Sequence, residues 1–188
     1  NYVDPLDRKQ ILEADQELRH QMNIITDFLR KYVPGYEHCT IKTGASTLGI
    51  RESRRFSGKY VMNISDLREA RRFPDVVVHK AQFVVDIHNP VGGGQANGIA
   101  EYVDAYEIPW RSLVPQKMEN LILAGRCISG THEAMASYRV MAIAMAIGEA
   151  AGIGAALAID HDVTPENLDV KYIQNTLMDK GAVPFDEK

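Results

Sequence analysis

The chain has 188 residues and a net charge of −4, and 45% of its residues are hydrophobic, which is enough to bury a core. The acidic balance argues against a nucleic-acid partner, because a protein that binds nucleic acid normally carries a basic face. The two cysteines, Cys39 and Cys127, lack the paired spacing of zinc or iron–sulfur ligands, so we expect no metal site. We also expect no membrane span, because the longest apolar stretch, 140–159, contains Glu149 and several glycines.

The first predicted element is a helix over 4–32, where apolar residues recur at three- and four-residue steps until Pro34-Gly35 ends the pattern. Alternating or β-branched residues then predict strands at 39–42, 48–56, 76–87 and 101–108. Between them, Ser65 is predicted to cap a short helix that runs to Arg72. The glycine-rich segment 89–98 is predicted to be a turn rather than a phosphate-binding loop, because no strand–turn–helix pattern surrounds it.

The C-terminal third contains a strand–loop–helix pattern. The apolar run 121–124 predicts a buried parallel strand, residues 126–137 a polar loop, and the small apolar residues from about 138 to 159 a helix. A last helix is predicted to open at Thr164 and to end at Gly181. In α/β sheets, ligands bind beyond the strand ends, where helix N-termini offer free N–H groups. The pattern therefore predicts either an anion or cofactor site or a plain strand–helix unit, and the residues alone leave both open.

Several motifs occur in the order of a known family. They are LGIRESRR at 48–55, DIH at 86–88, IPWRSLVP at 108–115, LILAGRCIS at 121–129, THEA at 131–134, Ser137 with RVM at 139–141, and GEAAG at 148–152. Together they resemble the C-terminal part of a bacterial FAD-dependent oxidoreductase family. The terminal strand–loop–helix is also similar, more distantly, to that of the fumarate reductase flavoproteins.

The resemblance implies a mixed α/β (α+β) fold in which a sheet-rich substrate domain precedes the C-terminal strand–helix unit of a split FAD-binding domain. The expected parts are an N-terminal helix (1–35), a mainly β substrate or cap domain (36–115), the C-terminal part of the FAD-binding domain (116–160) and a C-terminal helix (161–188). In such flavoproteins the helix after the loop directs its N-terminus at the pyrimidine edge of the flavin. Reduced flavin is negative there, so the helix dipole favours it.

The resemblance also implies which residues lie at FAD. The expected cofactor-binding residues are Gly125, Arg126, Cys127, Ile128, Ser129, Ser137, Val140 and Met141. The Gly-x-Gly-x-x-Gly turn that holds the pyrophosphate in the family does not occur in this sequence. We therefore expect the chain to bind FAD weakly or not at all by itself.

Candidate catalytic residues come from the same loop and from the substrate domain. They are Arg139, His132, Arg111 and Glu133, with Arg51 and Arg54 as candidate substrate ligands that suit an anionic small molecule. The structural alternatives are that His132 caps a helix, that Arg139 pairs with Glu133, and that Arg54 forms cross-strand ion pairs. His88 and Asp86 are too few for a metal site, and a hydrogen-bonded core histidine is the preferred interpretation.

The leading hypothesis is a fragment that completes the flavin pocket of an FAD-dependent oxidoreductase, contributes substrate contacts and is inactive alone. The alternative is a non-catalytic module that acts only in assembly with an FAD-bearing partner. We expect an apolar surface along 140–159 that supports a homodimer. A cytoplasmic location is favoured, although a segment upstream of Asn1 could carry an export signal.

Overall fold

A computed structural model describes residues 3–88 and 100–182. Its helices and strands are α1 (Arg8–Tyr32), α2 (Ile64–Arg68), β1 (Val76–Ala81), β2 (Tyr106–Pro109), α3 (His132–Tyr138), α4 (Met141–Asp160) and α5 (Val170–Asp179), with short 3-10 turns at Trp110–Ser112 and Gly125–Cys127. The predicted mixed class is confirmed. The sheet is smaller than predicted, because β1 and β2 are the only named strands in the described residues. The chain divides into two compact units, Asn1–Ser53 and Arg54–Lys188.

The first unit consists of α1 and an irregular segment. Asp7 caps α1 by accepting hydrogen bonds from the backbone N–H groups of Lys9 and Gln10. The strands predicted at 39–42 and 48–56 are wrong, because the structure has no regular secondary structure at either segment. Gly44 and Gly49 interrupt the alternation, and a strand needs a partner for its backbone groups.

The second unit is built on the antiparallel pair of β1 and β2. The two strands pair with irregular register, and Val78 lies opposite Ile108. The predicted strands at 76–87 and 101–108 are thus shorter than expected, and the segments beyond them contribute one isolated bridge between Val85 and Glu101. The short helix predicted after Ser65 exists as α2, but Asn63 caps it and forms a capping box with Asp66.

The C-terminal strand–loop–helix differs from the prediction in three ways. Residues 121–124 are half-buried and form no strand, so the predicted parallel strand is wrong. Part of the predicted loop is helical, because Thr131 caps α3 by accepting from the N–H of Ala134. Val140 then takes an extended conformation and separates α3 from α4. The last helix begins at Val170, capped by Asp169, and not at Thr164.

The core lies between the sheet and the two C-terminal helices. α4 packs against α5 and β1. Trp110 is buried there, and its indole N–H donates to the carbonyl oxygen of Pro165 at 2.9 Å. Gly154 permits this packing, since a Cβ on it would lie 2.3 Å from Cη2 of Trp110. Ile173 of α5 closes the same contact.

One helix, α4, is long and apolar enough to cross a membrane by length and composition alone. A core helix of a protein without spans passes the same test, and α4 buries Ile143, Ile147 and Ala150 on one side. The opposite side is bare, with Met141, Met145 and Ile159 exposed by 83%, 74% and 79%. The expectation of no membrane span therefore stays a prediction.

Candidate functional site

The loop at 125–131 is a fixed part of the second unit. Gly125 has a φ of +76°, a conformation that glycine adopts at no steric cost, and it opens the 3-10 turn. The N–H of Ser129 donates to Ser112 O at 3.0 Å, and the N–H of Met62 donates to Ser129 O at 3.1 Å. The backbone of the loop is therefore held by two other segments before α3 begins.

The break between α3 and α4 creates a new helix N-terminus. Val140 is the N-cap of the 20-residue α4, and no side chain of the described residues caps it. The first N–H groups of a helix have no partner within the helix, so an uncapped N-terminus attracts negative charge. α4 also lies against the turn Gly125–Cys127. The predicted loop and the predicted helix are therefore in contact.

The expected cofactor-binding residues differ in how far a ligand can reach them. The side chains of Ile128, Ser129 and Ser137 are fully buried within the chain, so they shape the site from behind. Cys127 is half-buried and donates through its thiol to Ala124 O at 3.3 Å. Those with exposed or half-exposed atoms are Gly125, Arg126, Val140 and Met141.

Ser137 joins three segments. Its hydroxyl donates to Phe83 O at 2.6 Å, so it must accept the hydrogen bond from the Tyr106 hydroxyl at 2.9 Å. Burial raises the pKa of Tyr106 to about 12, while the Ser137 bond lowers it. Ser137 therefore supports the site by fixing the segment around Phe83 to α3.

Arg139 is anchored by Asp86 and not by the Glu133 partner considered from the sequence. Its Nη2 atom donates to Asp86 O at 2.7 Å and to Asp86 Oδ2 at 3.2 Å. The imidazole Nε2 of His88 lies 2.8 Å from the same carboxylate oxygen. His88 is hydrogen-bonded as the sequence predicts, but it is 45% exposed, so its predicted place in the core is wrong. The Asp-x-His motif at 86–88 was the available sequence signal.

His132 and Glu133 form the first turn of α3. Hydrogen bonds from the Glu133 N–H and from the Thr131 side chain lower the pKa of the Glu133 carboxyl, and His132 adds a smaller electrostatic effect. An ionised carboxylate in the first turn also stabilises the helix dipole. This arrangement favours a capping role for Glu133. His132 is exposed at the start of α3.

Arg111 forms a bidentate ion pair with Asp75. Its Nε and Nη2 atoms lie 2.8 Å and 3.0 Å from the two carboxylate oxygens, and its guanidinium lies 5.3 Å from the ring centre of Tyr60. The hydrogen bond to Asp75 raises the pKa of Arg111 above its usual value. The guanidinium group of Arg111 is thus occupied by a carboxylate of the chain itself. Arg51 and Arg54 are both exposed.

Comparison with known proteins shows the family of the chain. The sequence matches the family model described as FAD dependent oxidoreductase over residues 1–177. The chain belongs to the FAD dependent oxidoreductase family. No curated protein and no solved structure matches it. Family membership indicates oxidoreductase activity and FAD binding in the family.

The residues present fit one end of FAD. The exposed N-terminus of the 20-residue α4, which no side chain of the described residues caps, suits the negative edge of a flavin. A pyrophosphate requires a glycine-rich cradle of the Gly-x-Gly-x-x-Gly kind, and the sequence has none. Among residues 3–88 and 100–182, no group of three or more His, Cys, Asp or Glu is placed to hold a metal ion.

Proposed function

We propose that this chain is the C-terminal part of an FAD-dependent oxidoreductase and that it closes the flavin end of the cofactor site. The observation that carries the proposal is the packing of α4, whose N-terminus no side chain of the described residues caps, against the turn Gly125–Cys127. When bound, FAD supplies the two-electron chemistry. The chain's own residues orient the flavin edge through the N–H groups of the first turn of α4 and form a wall of the pocket at 125–129.

The bare side of α4 supports the fragment role. Met141, Met145 and Ile159 expose an apolar surface that water does not favour. In the proposal, the part of the FAD-binding domain that carries the pyrophosphate cradle covers this side. The chain alone is then expected to be inactive. In the proposal, the exposed Arg51 and Arg54 contact a small anionic substrate.

The alternative, a non-catalytic module in assembly with an FAD-bearing partner, uses the same bare side. The two differ in whether α4 contacts the flavin. A redox titration of the FAD-loaded protein separates them. Ala142 is exposed in the first turn of α4, and Ala142→Glu places a negative charge there.

For the flavin-closing role, Ala142→Glu should lower the flavin midpoint potential by the equivalent of about 0.3–1 kcal/mol, since it opposes the charge of reduced flavin. Ala142→Gln is the matched control, because it has the same size without the charge, and it should leave the potential near that of the parent. Equal potentials in all three proteins would favour the non-catalytic module. A protein that holds no flavin under any condition would rule out both the flavin-closing role and the non-catalytic module.

A further inference from the structure

The segment 83–88 is tied to the junction of α3 and α4 at two points. Ser137 donates to Phe83 O at 2.6 Å, and Arg139 donates to Asp86 O at 2.7 Å. Arg139 immediately precedes Val140, the N-cap of α4. The two contacts therefore join Asp86 to the residue before the helix N-terminus at which the proposed function puts the flavin, and His88 in turn contacts Asp86.

The Asp86 carboxylate joins Arg139 and His88. Its Oδ2 atom lies 3.2 Å from Nη2 of Arg139 and 2.8 Å from Nε2 of His88. A carboxylate beside one ring nitrogen of a histidine selects the tautomer with the proton on that nitrogen. Neutral His88 therefore carries its proton on Nε2 and leaves Nδ1 with a lone pair.

The three side chains differ in exposure. Arg139 and Asp86 are 14% and 21% exposed, whereas His88 is 45% exposed. The two inner residues hold each other through a charge-assisted hydrogen bond, and the outer imidazole is accessible. An accessible imidazole with a lone pair on its outer ring nitrogen can act as a general base.

We propose that His88 is the proton acceptor of the flavin site and that Asp86 and Arg139 are its positioning residues. The inference rests on the proposed function. The substrate class is a molecule that loses a proton when it is oxidised, an alcohol or an amine. Its C–H hydrogen leaves as hydride to the flavin, its O–H or N–H proton goes to Nδ1 of His88, and a C=O or C=N double bond forms. The substrate loses two electrons and FAD gains them.

The other acid–base candidates suit this task less well. Glu133 is held in its ionised form by the first turn of α3, and the same hydrogen bonds make it a weak base. His132 begins α3, so the whole of that helix separates it along the chain from Arg139 and the start of α4. We therefore assign the role of proton acceptor to His88 rather than to His132 or Glu133.

The positioning role is tested by nitrogen-15 NMR of histidine rings in the chain, above neutral pH. His88 should show the Nε2–H tautomer. Asp86→Ala, which removes the oxygen that accepts this proton, should lower the population of the Nε2–H tautomer while the fold, followed by circular dichroism, is retained. Asp75→Ala is the matched control, because Asp75 also pairs with an arginine but contacts no histidine in the described residues. An unchanged His88 tautomer in Asp86→Ala would contradict the positioning role.

The place of His88 at the flavin is tested by its reaction with diethyl pyrocarbonate, followed by mass spectrometry with and without FAD. Modification of His88 should be several-fold slower in the FAD-loaded protein. Modification of His20, exposed on α1, should proceed equally in both. Equal rates at His88 in a protein whose absorbance shows bound flavin would overturn this inference and leave the proposed function intact. Absence of bound flavin even when the rest of the FAD-binding domain is supplied would remove the proposed function and the inference with it.

Discussion

The two sides of α4 use glycine differently. On the packed side, Gly154 is required by contact, since its Cβ would collide with the buried ring of Trp110. On the bare side, Gly148 and Gly152 have no heavy atom of the described residues within 4 Å of a built Cβ. A glycine inside a helix costs about 1 kcal/mol relative to alanine. The core of the chain therefore explains why residue 154 is a glycine. It does not explain the glycines at 148 and 152.

The largest effect on the free energy of unfolding should come from adding a side chain at Gly154, on the packed side of α4. Gly154→Ala should destabilise the chain by about 3 kcal/mol, because the added methyl group overpacks against Trp110. Urea denaturation measures the loss, and Gly148→Ala serves as the matched control that introduces no clash. Trp110→Phe removes the ring atoms that collide, so combining it with Gly154→Ala should recover part of the loss in a double-mutant cycle. A Gly154→Ala variant as stable as Gly148→Ala would show that the packed side tolerates the methyl group.

The core beneath the packed side also predicts a dependence on pH. Burial raises the pKa of Tyr106 from 10.0 to about 12, so the native state holds the proton more tightly than the unfolded state does. Its contribution to stability is complete below pH 10 and is lost as pH rises toward 12. The loss amounts to about 2–3 kcal/mol. Tyr106→Phe should flatten this part of the profile of unfolding free energy against pH, and an equally steep profile would refute the assignment to Tyr106.

Local patterns predicted the helices better than the strands. The apolar period of α1 and the glycine after α5 act within a few residues, so the sequence carries those signals directly. Gly181 ends α5 with a φ of +93° as predicted. The runs at 48–56 and 121–124 had strand-like composition, but a strand also depends on a partner that local composition does not specify.

The candidate site was predicted in part for the same reason. The loop predicted at 126–137 ends at 131 in the structure, because α3 takes up the rest, and the N-cap of α4 lies two residues after the predicted helix start at about 138. The pairing of Arg139 with Asp86 spans 53 positions along the chain. Such a contact depends on the fold of 83–88 against α3, which no spacing rule in the sequence encodes.

A substitution on the bare side of α4 should have a smaller effect on the free energy of unfolding, and it should stabilise the chain rather than destabilise it. Gly152→Ala should stabilise the chain alone by about 1 kcal/mol, because the helix gains alanine's propensity and no clash arises. If another part of the FAD-binding domain approaches this side closely, the same change should weaken retention of FAD in the loaded protein. Thermal unfolding and flavin release measure the two effects. Loss of stability in the chain alone would show that Gly152 is already in contact, contrary to the comparison of the two sides.

The smallest effect on folding is expected from Met145→Gln, which makes the centre of the bare side polar. Met145 is 74% exposed, so the change should alter the unfolding free energy by less than about 0.5 kcal/mol. If the bare side supports the expected homodimer, the variant should shift sedimentation toward monomer. Tyr102→Gln, at a residue that is 85% exposed and lies outside α4, is the control and should leave the sedimentation of the parent unchanged. A parent chain that is already monomeric would assign the bare side to a different partner, and the flavin-loaded protein would then be the place to find it.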